Sequence, residues 1–200
     1  ARELMENEDR LLSFLGPRLP LSIPKPVIYE DGVLVYQLLV GELFLRQAWE
    51  RAKKFDKQTY ADQLGRFLHE LHHVNPEELD WDVLHSYAPV TRETWVEIYE
   101  RVVDQIYPLL LSHQIEWVED LFNPALTNLD FFNFDPVLVH GDLAPYHILY
   151  DPGRSWLTGV IDFGVAGLGD PATDLGSLLN YYGESLVSQF ERTYPDLQKI

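Results

Sequence analysis

The chain has 200 residues, 46% of them hydrophobic and 24% charged, which suits a globular protein with a sizeable core and not a disordered one. Fifteen Lys+Arg against thirty-two Asp+Glu give a formal charge of −17, which argues against nucleic acid or an anionic membrane as a partner and would draw in a cationic small molecule. Cysteine is absent, excluding disulfides, thiolate metal sites and a cysteine nucleophile and suiting a cytoplasmic setting, and no apolar run approaches the ~20 residues of a membrane span.

Residues 2–15 carry Leu4, Met5, Leu11, Leu12 and Leu15 at helical spacing, and Gly16-Pro17 is a stop signal. A proline-punctuated extended stretch follows. Val27–Tyr29 and Val33–Leu39 flank Glu30-Asp31-Gly32, a hairpin signature. Gly41 opens a linker. An amphipathic helix is predicted over 58–74, from Tyr60, Leu64, Phe67, Leu68 and Leu71. Further helices are predicted over 91–111, with Pro108 a kink or end, and over 114–121. From residue 136 the texture changes. Short apolar runs at 137–139, 148–150 and 156–161 read as strands around polar loops, and helices return at 171–182 and 184–192. Strands at one end and helices at the other suggest two lobes joined near 39–42.

The chemistry concentrates in VLVHGDLAPYHILYDPGRSWLTGVIDFGVAGLGDPATDL. His140-Gly141-Asp142 follows one apolar strand, and Asp162-Phe163-Gly164 follows another. Both loops are expected at one end of a small sheet, with Asp142 and Asp162 side by side. Phosphoryl transfer needs such a pair. One carboxylate orients the attacking hydroxyl and accepts its proton, and another holds the Mg²⁺ that bridges the phosphates.

The pattern H-G-D-L-x-x-x-[NH]-x-L followed by I-D-F-G resembles the aminoglycoside phosphotransferase family. These are small-molecule kinases of protein-kinase-like fold, related to choline kinase. The resemblance is specific over 136–175 and weaker through FLHELHHV. It implies an α+β two-lobe kinase-like fold, here mostly the helical C-lobe. Residues 1–40 would be part of the N-lobe and 41–200 the C-lobe. It further implies Asp142 as the catalytic residue, Asp162 as a Mg²⁺ ligand, and Asp174 as a brace of the loop backbone. Glu8 matches the residue that pairs with a nucleotide-binding Lys. Residues 36–40, Tyr36 and Leu38 among them, would form the hinge beside the base of ATP or GTP. His147 stands where most relatives have an Asn metal ligand, and the branch acting on a 2″ hydroxyl also has His there. A Gly-rich phosphate loop and a strand Lys would precede the Glu8 helix in this family, and the helical lobe would continue past Ile200. The expectation is therefore a piece of a longer protein.

Several positions take plainer readings. His140 is expected to be a hydrogen-bonding support of its loop and Asp170 a helix cap. His69, His72 and His73, at i, i+3 and i+4, are read as packing and solvation. Glu77, Glu78, Asp80 and Asp82 are read as a solvated acidic face. Only five residues, 165–169, separate Gly164 from Asp170, which leaves no room for a peptide-ordering activation segment. The expected activity is transfer of the γ-phosphoryl of ATP or GTP to a hydroxyl of a small cationic molecule, an aminoglycoside first. The alternatives are a choline, homoserine or sugar kinase, or an inactive kinase-like binding module.

Overall fold

The computed structural model describes residues 2–79 and 91–200, so Asp80 and Asp82 lie outside the described residues. Two compact units are present, one formed by residues 1–87 with 137–200 and the other by residues 88–136.

The larger unit begins with α1 (Arg2–Leu15), whose Leu11, Leu12 and Leu15 are buried. Antiparallel β1 (Pro26–Glu30) and β2 (Val33–Tyr36) follow, paired Glu30↔Val33 and Tyr29↔Leu34. Asp31 and Gly32 both have positive φ, 52° and 79°, as a two-residue type I′ hairpin requires. The segment expected as a linker holds two short elements, β3 (Glu42–Leu43) and α2 (Arg46–Arg51). The central helix, α3 (Lys54–His72), buries Tyr60, Ala61, Leu64, Phe67, Leu68 and Leu71 along one stripe. Each such large side chain contributes about 1.5–3 kcal/mol.

The smaller unit is a helical pair, α4 (Arg92–Gln105) and α5 (Ser112–Thr127). Thr91 caps α4 by accepting the Thr94 amide at 3.3 Å. After α4 the chain tightens into a 3₁₀ turn at Tyr107–Leu109, around Pro108. Helix α5 is longer than its sequence pattern suggests and continues through Pro124. Phe122 anchors this unit, with ring centroids 5.5 Å from Trp95 and 5.2 Å from Tyr99.

The larger unit then resumes with β4 (Val137–Val139), β5 (Ile148–Asp151), β6 (Trp156–Val160) and β7 (Gly167–Gly169). One sheet has the order β3-β5-β6, and among the described residues β4 pairs only with β7. The single small sheet expected around Asp142 and Asp162 is thus two separate ladders. Gly167-Leu168-Gly169, whose two glycines hide any strand pattern, takes β4 as its partner. The chain closes with α6 (Ala172–Tyr182), α7 (Glu184–Val187) and 3₁₀ turns at Ser188–Arg192 and Pro195–Lys199. Asp170 accepts the Ala172 amide at 2.8 Å and so caps α6. Leu178, Leu186 and Phe190 join the α3 stripe in one core. The Tyr182 hydroxyl donates to the Phe44 carbonyl, tying α6 to the segment before α2. No helix among the described residues is long and apolar enough to cross a membrane.

A buried amide fixes β6 on α3. Gln63 donates to the Leu157 carbonyl at 3.1 Å and accepts the Leu157 amide at 2.9 Å, beside the irregular register at Leu149/Tyr150. Gln63→Leu leaves both backbone groups without partners. It should lower the unfolding free energy by about 1–3 kcal/mol in urea titration, and an unchanged midpoint would contradict this bracing role.

Candidate active site

The site grows from the loop leaving β4. Gly141 has φ +81°, and a β-carbon there would come within 2.9 Å of the Val165 carbonyl oxygen, so only glycine fits this turn against the Asp162 loop. Behind the loop stands Asp174, in the first turn of α6 and fully buried. Its Oδ2 accepts the His140 amide at 2.8 Å and its Oδ1 the Gly141 amide at 3.0 Å. His72 Nε2 also lies 3.1 Å from Oδ2. Burial alone would push this carboxyl up. The His72 hydrogen bond, the charges of His72 and His140 and the His140 amide outweigh it, holding Asp174 below the usual carboxylate range.

His140 supports the loop from the other side. The Ile161 carbonyl, 3.1 Å from Nε2, can only accept, so Nε2 carries the proton and Nδ1 accepts the Asp142 amide at 3.3 Å. The ring thereby ties the residue before Asp162 to the backbone of Asp142. Burial pushes the His140 imidazole below its ordinary range despite the opposing charge of Asp174.

His147, ending the 3₁₀ turn Pro145–His147, brings the two acids together. Its Nδ1 donates to the Asp142 carbonyl at 2.7 Å and lies 3.7 Å from Asp142 Oδ2. Its Nε2 lies 3.2 Å from Asp162 Oδ2. The imidazole is only 9% exposed, whereas the Asp142 and Asp162 side chains are 49% and 58% exposed and open to an incoming molecule. Asp162 itself has φ +68°, a left-handed conformation that Asp tolerates better than most residues.

Glu8 reaches the same place from α1. A β-carbon on Gly164 would lie 3.5 Å from Asp162 Oδ1 and 3.9 Å from Glu8 Oε2, so the two carboxylates flank that glycine. Burial first, and then the charge of Asp162, raise the Glu8 carboxyl above its ordinary range. The Tyr36 hydroxyl is pushed up by burial and by Glu8 and Asp162 together, which puts the end of β2 in the same electrostatic neighbourhood. Leu38 lies just beyond, 87% exposed.

Three contributors were not legible as such in the sequence. His72 is a buried hydrogen-bonding residue and not mere packing, and Tyr194 bonds its far nitrogen at 2.8 Å. Ser177 donates to the Leu143 carbonyl at 3.0 Å, one residue past Asp142. The one available signal was the α3 stripe, which places His72 beside Leu68 and Leu71 on the buried side.

A cation placed here would meet one carboxylate, Asp162, and the Nε2 edge of His147. Among the described residues no three His, Asp or Glu side chains form a metal cluster. Two protein donors nonetheless fit Mg²⁺, which takes most of its octahedral shell from water and phosphate oxygens.

A helical base, two short ladders bearing acidic loops and a flanking helix and hairpin make up a kinase-like phosphotransferase fold. The family model described as "Phosphotransferase enzyme family" matches residues 1–200, and the chain belongs to that family. Among curated proteins, an aminoglycoside 3′-phosphotransferase of Streptomyces fradiae is 30% identical over 160 residues, 77% of this chain. The chain spans 57% of the length of that relative. Among solved structures, the GDP complex of wild-type aminoglycoside 2′-phosphotransferase-IIIa superposes with a TM-score of 0.87 at 26% identity, over 99% of this chain and 69% of that one. The GDP and kanamycin complex of APH(2″)-IIia gives 0.86 at 27%, over 97% and 67%.

The buried pair behind the loop sets a pH dependence of stability. The folded value of His140 lies below its ordinary 6.5, so the unfolded chain takes up that proton first, and stability is lost as pH falls below 6.5 towards the folded value. Asp174, lowered from 3.8, contributes fully above 3.8, and its contribution is lost as pH falls through its folded value. Urea unfolding should therefore show stability declining from about pH 6.5 downwards. The slope should lessen in His140→Gln, and an identical slope in that variant would count against the buried neutral imidazole.

Proposed function

We propose that the protein containing this chain transfers the γ-phosphoryl group of ATP or GTP to a hydroxyl of a small cationic molecule, an aminoglycoside in the first instance. One observation carries the reading. A single buried imidazole, His147, is tied to the Asp142 backbone and faces the carboxylates of both Asp142 and Asp162 on an open surface. In this reading Asp142 orients the acceptor hydroxyl. The acceptor oxygen bonds to the γ-phosphorus as the bond from that phosphorus to the β,γ-bridging oxygen breaks. The acceptor proton passes to Asp142, and the products are a phosphate ester and a nucleoside diphosphate.

Asp162 and His147 are the residues that would hold Mg²⁺, which neutralises charge on the phosphates when bound. Glu8, beside Asp162, is assigned to the nucleotide side, with Tyr36 and Leu38 beside the purine. His140 and Asp174 support the loop and touch no substrate. Family membership supports phosphoryl transfer. The GDP and kanamycin named for a neighbour at 27% identity support a purine nucleotide and an aminoglycoside. The formal charge of −17 favours a cationic acceptor.

The test is to incubate the full-length protein with ATP or GTP and a panel of aminoglycosides and amino alcohols, reading product mass. Phosphorylation of an aminoglycoside is expected. Gain of phosphate only by choline or another amino alcohol would move the assignment to a metabolite kinase, and no product at all would sink it. Asp142→Ala should reduce kcat by about 10²–10⁴-fold with nucleotide binding retained. Asp162→Ala should instead abolish Mg²⁺-dependent nucleotide binding. Unchanged turnover in the first, or retained metal dependence in the second, refutes the respective role.

A further inference from the structure

The last turn of α3 carries His69 and His72, and His73 is its C-cap. His73 faces outward, with Nε2 3.4 Å from the Asp196 carboxylate. His72 faces inward and its side chain is 1% exposed. An ionised carboxylate only accepts, so on the Asp174 side His72 must present a protonated Nε2. The opposite edge, Nδ1, meets the Tyr194 hydroxyl at 2.8 Å. Tyr194 lies between the two last 3₁₀ turns and is buried. Its own amide is anchored on the Phe190 carbonyl at 2.7 Å. Its ring packs edge-on against the rings of His69, His72 and His73, with centroids 5.6, 5.7 and 6.2 Å away. Burial, with Asp196 and Asp174 nearby, pushes the phenol up to about 12, so it keeps its proton throughout the neutral range.

We infer that Tyr194 is a positioning residue for the Asp142 loop, acting through His72 and Asp174. Its hydroxyl gives Nδ1 a partner and so holds the imidazole with Nε2 on Asp174. Asp174 in turn fixes the amides of His140 and Gly141, the two residues that lead into Asp142. Without the hydroxyl, Nδ1 is a buried polar atom with no partner. The ring then gains by turning or tilting away from Asp174, and the carboxylate loses one of its three donors. The hydroxyl is the only atom of Tyr194 this role requires. The catalytic consequence rests on the phosphotransferase reading, whereas the ordering of the loop does not.

Tyr194→Phe in the full-length protein keeps the ring and removes the hydroxyl. Amide hydrogen exchange at His140 and Gly141 should quicken by about tenfold, with the amides of the β1–β2 hairpin unchanged. The kcat of phosphoryl transfer should fall by about tenfold, while the KM values for nucleotide and acceptor stay within about twofold. Unchanged exchange at His140 and Gly141 overturns the inference whether or not turnover is ever observed. Faster exchange shared by the hairpin reports general loosening, and it overturns the inference too. Faster local exchange with kcat intact in an active protein overturns the catalytic part. A wild-type protein with no turnover refutes the proposed function separately and leaves the exchange result to decide the ordering.

Discussion

Everything at the candidate site leans on one buried carboxylate. Asp174 has no access to water, and an ionised group in that position is costly unless its oxygens are filled. Two backbone amides and an imidazole fill them, from residues 33, 34 and 102 positions away in sequence. Those donors offset the desolvation and give the loop its shape. The amides of His140 and Gly141 point at the same carboxylate, and the glycine with φ +81° then turns the chain into Asp142. The acidic group that never meets solvent thus determines where the half-exposed Asp142 stands.

The two loops hang on different ladders, and two imidazoles hold them in register. His140 donates from Nε2 to the Ile161 carbonyl, while His147 donates from Nδ1 to the Asp142 carbonyl. Each carbonyl fixes the proton on one particular ring nitrogen, and the two rings carry it on opposite ones. A third tie runs through the backbone, from the Ile161 amide to the His147 carbonyl at 2.9 Å. Among the described residues neither a lysine nor an arginine takes part. The cross-links are imidazoles placed among acids, and the Asp142 and Asp162 side chains beside them are exposed.

Much of this is legible in the sequence. The α3 stripe, the Asp31-Gly32 hairpin and the two apolar runs that end in Asp142 and Asp162 follow from local patterns, and each pattern reflects a local physical demand. What escaped depends on distance along the chain. Strand β7 is Gly-Leu-Gly, and nothing in three such residues announces a ladder with β4. Strand β3 and helix α2 are too short for periodicity to register. His72 reads as one more residue on a packed helix face, because its partners are 102 and 122 residues away. Tyr194 lies in irregular chain between 3₁₀ turns, where spacing carries no signal.

The short link between β6 and β7 has its own implication. Only residues 161–166 join the two strands, and both ends are pinned, one to β5 and the other to β4. A tether of that length, held at both ends, keeps Asp162 close to the two ladders.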